Sequence, residues 1–265
     1  MVPCPIIWMN GNVITIGNHN KRCYAQPAVR CGLPVMLICA LSLFFLTGFI
    51  RFIPDNAIRE HALILVNKDV HLPRDYVPAD LVTVNIAFTG SESGGRKQMR
   101  ASAAVAIESM FTAAAAQNIE ISGVSGYRSY RTQQNLYNQR LAETGLSYVS
   151  RYVAEAGMSE HQTGLAMDVT TPGIRQLTDD FADTDAYRWL VDNAHIYGFI
   201  IRYPEDGETE TGYAFEPWHI RYVGPEASAI VRSGMTLEGY LRTKHPKLGF
   251  VEPPKNVIRL YTAME

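Results

Sequence analysis

The sequence predicts an α+β fold, in which a small, mainly antiparallel sheet is flanked by helices and preceded by one transmembrane helix. Three observations lead to this prediction. An apolar run without any charged residue occupies residues 32–50. Downstream of it, helix-like and strand-like segments are mixed, without the regular alternation that a parallel sheet with crossover helices requires. The length of 265 residues and the hydrophobic content of 47% allow one good-sized globular domain with extensions.

The run at residues 32–50 has the length of a membrane span. Its 19 residues, at about 1.5 Å each, reach roughly 28 Å, which is close to the hydrocarbon thickness of a bilayer. Lys21, Arg22 and Arg30 precede it without any acidic residue, and Arg51 follows it. By the positive-inside rule, the N-terminus then lies in the cytoplasm and the large C-terminal part outside. The expected location is the cell membrane, with a single pass and an extracytoplasmic domain.

Two other interpretations of this run stay open. It could be a cleaved signal peptide, although no Ala-x-Ala-like site follows and the run is long for such a segment. It could also be a buried core helix, although it lacks the polar face of an ordinary surface helix. With the span as first choice, the chain divides into a cytoplasmic N-terminal tail (1–31), a transmembrane signal anchor (32–50), a linker (51–64), a folded domain (65–243) and a C-terminal tail (244–265).

The elements of the folded domain follow from local sequence pattern. Residues 97–117 are alanine-rich and contain neither glycine nor proline, which predicts a long helix. Residues 119–124 alternate apolar and polar side chains, which predicts a strand. A helix over residues 185–197 is expected to be capped by Thr184. Similar patterns predict further helices over residues 130–143, 147–156, 225–233 and 237–243, and further strands over residues 165–170, 199–202 and 219–223.

Charge and cysteine content exclude several classes of function for the folded domain. The net charge of −2 gives no electrostatic case for binding nucleic acid. The cysteines are Cys4, Cys23, Cys31 and Cys39, and all lie in the first 39 residues. The domain therefore has no disulfide framework, no thiolate metal site and no cysteine nucleophile.

Two stretches of the domain contain residues that can bind a metal ion. Ser159-Glu-His161-Gln-Thr-Gly164-Leu-Ala-Met-Asp168 supplies an imidazole and a carboxylate, and a turn at Gly164 would bring His161 back over the start of the next strand. Tyr213-Ala-Phe-Glu-Pro-Trp-His219 supplies a second imidazole from a separate strand. Two histidines and one carboxylate, with a fourth position for water, are typical of a catalytic zinc site and not of a closed structural one.

Glu216 lies three residues before His219 and is the candidate general base. Pro217 argues against a helix here, so the pair is not the helical His-Glu-x-x-His arrangement. Zinc lowers the pKa of its bound water to about 7, and a nearby carboxylate can take the proton as that water attacks a carbonyl. The four side chains together predict a metallohydrolase. Taken singly, a histidine is more often structural than a ligand.

Arg128 follows a predicted strand and Gly126 and precedes a predicted helix. At this junction it could present its guanidinium to a carboxylate or to a developing oxyanion. The alternative is an exposed arginine in a salt bridge. Both interpretations stay open for this residue taken by itself.

Three motifs in this order resemble a known family. They are Gly-Tyr-Arg-Ser-Tyr-x-x-Gln from Gly126, Ser-x-His-x-x-Gly-x-Ala-x-Asp from Ser159, and Glu-Pro-Trp-His-x-Arg-Tyr-Val from Glu216. They are similar to those of the VanY-type D-alanyl-D-alanine carboxypeptidases, which belong to a wider group with lysostaphin-like peptidases and the hedgehog signalling domain. The similarity covers residues 65–241. It implies a bacterial zinc metallopeptidase that acts on the peptidoglycan of the cell wall.

The resemblance also implies roles for single residues. It places one zinc ion on His161, Asp168 and His219, with Glu216 as the catalytic carboxylate. Arg128 would stabilise the charge on the scissile carbonyl or anchor the substrate. The implied substrate-binding residues are Ser159, Gln133, Tyr127 and Trp218, and for Trp218 a place in the core or the pocket wall is the simpler interpretation.

The predicted function is that of a membrane-anchored zinc D-alanyl-D-alanine carboxypeptidase. It would remove the terminal D-alanine from peptidoglycan stem peptides, with Glu216 activating a zinc-bound water. One alternative is an L,D-carboxypeptidase that acts on tetrapeptide stems. Another is a non-catalytic wall-binding module that contains zinc, although such a module would have no reason to keep both Glu216 and Arg128. A serine mechanism is disfavoured because no Ser-x-x-Lys motif is found.

Overall fold

The computed structural model describes residues 6–9, 12–15, 62–90, 94–174 and 176–246. The chain divides into two compact units, residues 1–52 and 53–265. In the first unit, β1 (Ile6–Met9) and β2 (Asn12–Thr15) form an antiparallel hairpin.

The predicted membrane span at residues 32–50 lies outside the described residues, as do most of the predicted linker and of the predicted C-terminal tail. Among the helices that the structure describes, none combines the length and the apolar character needed to cross a membrane.

A four-stranded antiparallel sheet forms the centre of the second unit. Its strands are β5 (Ser122–Ser125), β6 (Ala166–Thr170), β8 (Glu216–Tyr222) and β7 (Phe199–Tyr203), in that spatial order. A separate antiparallel pair consists of β3 (Leu81–Thr83) and β4 (Gln98–Arg100). Strands β6 and β8 are buried along their whole length, so the middle of the sheet is covered on both faces.

Helices cover this sheet on two sides. The α-helices are α1 (Ala101–Ala115), α2 (Tyr130–Thr144), α3 (Leu146–Tyr152), α4 (Asp185–Asn193), α5 (Glu208–Thr211), α6 (Ala227–Ser233) and α7 (Leu237–Lys244). One apolar cluster joins α1 and α4 to the sheet through residues such as Ile107, Leu190 and Met167. A second cluster joins α6 and α7 to Ile200 of β7. Phe199 belongs to the first cluster and its neighbour Ile200 to the second, because successive side chains of a strand point to opposite faces.

The predicted α+β class with a small antiparallel sheet and flanking helices is confirmed, and the predicted elements differ from the observed ones in where they begin and end. The helix predicted from residue 97 begins at Ala101, because Gln98–Arg100 instead pairs with the strand Leu81–Thr83. Residues 185–197 form an α-helix only to Asn193 and continue as a 3-10 helix. The predicted cap is confirmed, since the Thr184 hydroxyl accepts a hydrogen bond from the Tyr187 backbone N–H at 3.1 Å.

Candidate active site

A tight turn places His161 above the sheet. The 3-10 helix Glu160–Thr163 ends at Gly164, whose φ of 69° lies in the left-handed region. A Cβ on Gly164 would lie 2.8 Å from the Leu81 Cδ2 atom, so both conformation and space require glycine there. The chain then enters β6, which carries Asp168.

Sheet register brings the other two candidate ligands together. Asp168 on β6 lies directly opposite His219 on β8. His161 Nε2 is 3.2 Å from Asp168 Oδ2, and His219 Nδ1 is 3.0 Å from Asp168 Oδ1. The two imidazole rings are nearly perpendicular, with centroids 4.9 Å apart. One ligand atom from each of the three side chains lies within 4.8 Å of the others, and all three residues are buried.

This arrangement fits a zinc ion. Bonds of about 2.0–2.2 Å in a tetrahedral site put neighbouring ligand atoms about 3.3 Å apart. Each imidazole lies near this distance from one oxygen of Asp168, at 3.2 Å from Oδ2 for His161 and 3.0 Å from Oδ1 for His219. His161 Nδ1 lies 2.8 Å from the Gly126 carbonyl oxygen, which accepts its hydrogen and leaves Nε2 as the free lone pair. Two imidazole nitrogens and one carboxylate oxygen are also the donor types that catalytic zinc prefers.

The charges around this point set the protonation of the candidate ligands. Burial by itself would raise the pKa of Asp168, but the two imidazoles hold that pKa well below its usual range. Burial lowers the pKa of His161. Burial would also lower the pKa of His219, but hydrogen bonds to Asp168 and Glu160 raise it to about 9. Asp168 is therefore ionised, and a metal ion must compete with a proton for His219.

Glu216 lies beside the three candidate ligands, at the first position of β8. Its Oε2 atom is 3.9 Å from His219 Nδ1, the nitrogen that also faces Asp168. The segment is a strand and not a helix, as Pro217 indicates in the sequence, so Glu216 and His219 both lie on β8. Burial raises the pKa of Glu216 to about 8. Such a carboxyl group can both accept and release a proton near neutral pH.

Arg128 is held in place by hydrogen bonds from its guanidinium. Nη1 donates to Gln133 Oε1 at 2.8 Å and Nη2 donates to Ser125 Oγ at 3.1 Å. Nη2 also lies 3.5 Å from Asp168 Oδ2. Gln133 is 1% exposed and its Nε2 donates to the Ala154 carbonyl oxygen at 2.6 Å. The oxygen and the nitrogen of the Gln133 amide thus both have partners inside the protein. Gln133 therefore supports Arg128, a role additional to its predicted contact with substrate.

These side chains line one cavity of about 520 Å³. The wall includes His161, Asp168, His219, Glu216, Arg128, Gln133, Ser159 and Trp218 from the predicted set. Tyr127 is not among the described residues that line it. Tyr127 is buried, and its ring packs against Gly95. A Cβ added to Gly95 would lie 3.1 Å from this ring. The predicted substrate contact of Tyr127 therefore has no support in this geometry.

Several residues of this site are not predicted from the sequence. Tyr203 and Tyr213 also line the cavity, and Tyr203 packs on the His219 ring with centroids 5.0 Å apart. Glu160 contacts the Nε2 atom of His219 and forms ion pairs with Arg202 and Arg221. A signal for the two arginines exists in the sequence, since each lies in an apolar strand where a charge has to be paired.

Comparisons with known proteins identify relatives of this chain. The sequence model of the VanY family, described as D-alanyl-D-alanine carboxypeptidase, matches residues 96–225. YodJ of Bacillus subtilis is 42% identical over 183 residues, which are 68% of this chain and 67% of that protein. A D-alanyl-D-alanine carboxypeptidase of Enterococcus faecalis is 36% identical over 196 residues, which are 70% of this chain and 68% of that protein.

Solved structures show the same relationship. One is the structure of the LdcB LD-carboxypeptidase, which reveals the molecular basis of peptidoglycan recognition by that protein. It superposes with a TM-score of 0.65 and is 42% identical, over 69% of this chain and 87% of the LdcB chain. A zinc-bound mutant of the vancomycin-resistance D,D-pentapeptidase VanY gives a TM-score of 0.55 and 34% identity over 68% of this chain and 99% of its own. The chain therefore belongs to the VanY family of D-alanyl-D-alanine carboxypeptidases.

Proposed function

We propose that this protein is a zinc-dependent D-alanyl-D-alanine carboxypeptidase that removes the terminal D-alanine from peptidoglycan stem peptides. The observation that carries the proposal is the convergence of His161, Asp168 and His219 on one point, with Glu216 beside them, in the wall of a cavity. The zinc-bound structure of a VanY relative supports the choice of metal. The apolar run at residues 32–50 supports a membrane anchor, with the enzymatic domain outside the cytoplasm.

The proposed reaction is the hydrolysis of one peptide bond. Zinc, when held by His161, Asp168 and His219, would polarise the scissile carbonyl and make water more acidic. Glu216 accepts a proton from the attacking water while the water oxygen bonds to the carbonyl carbon. As the carbon–nitrogen bond breaks, Glu216 returns this proton to the amine of the departing D-alanine. Burial raises the pKa of Glu216, and the positive charge of zinc would lower it again, so the group can be ionised when water attacks and can still return the proton.

Arg128 has the position of an electrostatic partner for the substrate. It lines the cavity and its Nη2 lies 3.5 Å from Asp168, which places a fixed positive charge beside the candidate metal site. Such a charge stabilises negative charge that develops on the carbonyl oxygen, or holds the carboxylate at the end of the substrate.

Replacing Arg128 with lysine is expected to lower kcat/KM about 10²-fold without loss of zinc. Lysine keeps the charge but lacks the planar fork that reaches Gln133 and Ser125 together. Turnover of a stem peptide and zinc content are the measurements. Arg131→Lys is the matched control, since Arg131 is exposed on α2 and should show no change. Equal turnover in Arg128→Lys and the wild type would show that the planar guanidinium of Arg128 contributes nothing beyond its charge.

An L,D-carboxypeptidase is the second candidate function. The observation that favours it is the similarity to LdcB, an LD-carboxypeptidase with 42% identity and a TM-score of 0.65. Both reactions use the same metal ligands and the same base. They differ in the stereochemistry of the residue on the amino side of the scissile bond, which the cavity wall has to read.

Defined stem peptides distinguish these functions. The purified full chain, in detergent, is incubated with pentapeptide and with tetrapeptide stems, and released D-alanine is measured. We expect release from the pentapeptide, loss of activity with a chelator, recovery with zinc, and no inhibition by penicillin. Release only from the tetrapeptide would establish the L,D reaction in its place. A protein that binds zinc but cleaves neither peptide would be the non-catalytic wall-binding module.

A further inference from the structure

Four charged side chains form a buried cluster next to the candidate metal site. This buried charge network consists of Glu160, Arg202, Arg221 and Glu238. Glu160 Oε1 accepts hydrogen bonds from Arg202 Nε at 2.7 Å and from Arg221 Nη1 at 2.5 Å. Arg202 also donates to both carboxylate oxygens of Glu238, at 2.9 and 2.6 Å. The side chains of Glu160, Arg202 and Arg221 are 0% exposed, so these charges depend on one another.

The two oxygens of Glu160 have different partners. Both arginines bind Oε1, whereas Oε2 lies 3.4 Å from His219 Nε2. The opposite nitrogen of that ring, Nδ1, is 3.0 Å from Asp168 and faces the candidate metal site. The imidazole of His219 is thus held between one carboxylate behind it and another in front of it.

Stability alone does not explain such a network. Removing two carboxylates and two guanidiniums from water is costly, and well-packed apolar residues of the same size would be as stable or more stable. What apolar residues could not provide is an acceptor for the Nε2 hydrogen of His219. A carboxylate fixed by two guanidiniums cannot rotate away from that hydrogen, so it holds both the tautomer and the orientation of the ring.

The other candidate histidine shows the same principle with a different partner. The outer nitrogen of His161, Nδ1, is bonded to the backbone carbonyl of Gly126. In both rings an acceptor behind the imidazole leaves the lone pair of the inner nitrogen for a metal ion. Only His219 has a charged acceptor, and a charged acceptor makes the stronger hydrogen bond.

We propose that Glu160 is a positioning residue for the metal site. Its carboxylate, fixed by Arg202 and Arg221, accepts the Nε2 hydrogen of His219 and thereby leaves Nδ1 to bind zinc. This inference rests on the proposed zinc-dependent function. It adds to that function a carboxylate outside the set of candidate metal ligands, which determines how tightly the metal ion is held.

Two variants of the full chain separate positioning from general stability. Glu160→Gln and Glu238→Gln each remove one negative charge that pairs with Arg202, but only Glu160 contacts His219. We expect both variants to have a lower Tm. Zinc affinity, measured by competition with a chelator, is expected to fall about 10- to 100-fold in Glu160→Gln. In Glu238→Gln it should stay within about twofold of the wild type, because the contact to His219 is intact.

A spectroscopic measurement gives an independent readout of the same role. Cobalt in place of zinc reports ligand geometry through its visible absorption bands. These bands should shift or weaken in Glu160→Gln and stay unchanged in Glu238→Gln. Equal losses of affinity in the two variants would make the role of Glu160 purely structural and overturn the inference.

A third variant covers the case in which Glu160→Gln does not fold. Glu160→Asp keeps the charge for both arginines but withdraws the carboxylate from His219 by about 1.5 Å. Its zinc affinity is expected to fall at least about tenfold, and wild-type affinity in this variant would contradict the inference. A wild-type protein that binds no zinc would instead overturn the proposed function, so the two failures are distinguishable.

Discussion

Replacing Asp168 with alanine is expected to abolish D-alanine release, because this carboxylate is the common neighbour of both candidate histidine ligands. Its two oxygens lie 3.2 Å from His161 and 3.0 Å from His219. Without it, two imidazoles remain, and catalytic zinc sites use three protein ligands. Zinc content by elemental analysis should fall to background, and the rate of peptide hydrolysis should fall to the limit of detection.

Asp192→Ala is the matched control for this experiment. Asp192 is exposed on α4, so its removal should leave zinc content and turnover unchanged. Excess zinc should not restore the activity of Asp168→Ala, although it should restore wild-type enzyme that a chelator has inactivated. An Asp168→Ala protein that keeps one tightly bound zinc ion and normal turnover would show that the metal site lies elsewhere.

Glu216→Gln should separate metal binding from chemistry. Glutamine has nearly the same shape but cannot accept the proton of the attacking water, so turnover should fall at least about 10²-fold and as much as about 10⁴-fold. Zinc content should stay at one ion per chain, because the three candidate ligands are untouched. Parallel measurements of kcat and zinc stoichiometry check this, and unchanged turnover would exclude Glu216 as the base.

The pH dependence of kcat/KM provides a second test of Glu216. A general base must be deprotonated in the free enzyme, so the rate should rise as pH rises through its pKa. Burial raises the pKa of Glu216 to about 8 in the metal-free protein, and the positive charge of bound zinc lowers it. The acidic limb of the profile should therefore lie below pH 8. In Glu216→Gln this limb should disappear, whereas a persistent limb would belong to another group.

The local sequence pattern predicted the helices and strands better than it predicted which strands pair with each other. The helix Tyr130–Thr144 and the Thr184 cap depend on nearby residues and agree with prediction. The start of α1 does not, because Gln98–Arg100 becomes a strand only through its partner Leu81–Thr83, which is distant in sequence. A helical pattern within residues 97–117 contains no information about that partner.

The site shows the same division between local and distant information. Spacing and Gly164 indicated that His161 and Asp168 lie close together, and the motif order indicated His219 as the third ligand. The register that sets Asp168 opposite His219 is a property of the paired strands. The role of Glu160 was not predicted although the residue is adjacent to His161, because its partners Arg202 and Arg221 lie on two other strands.

Arg221 connects Ala62 and Ile64 to the candidate active site. Beside its contact with Glu160, its Nη2 atom donates to the backbone carbonyls of Ala62 and Ile64, at 2.9 and 2.7 Å. Anyone trimming the protein to a soluble version for crystallography should therefore keep Ala62 and the residues after it. A truncation that removes Ala62 and Ile64 would leave the buried Arg221 guanidinium without two hydrogen-bond acceptors. We expect such a truncated protein to bind its metal ion more weakly.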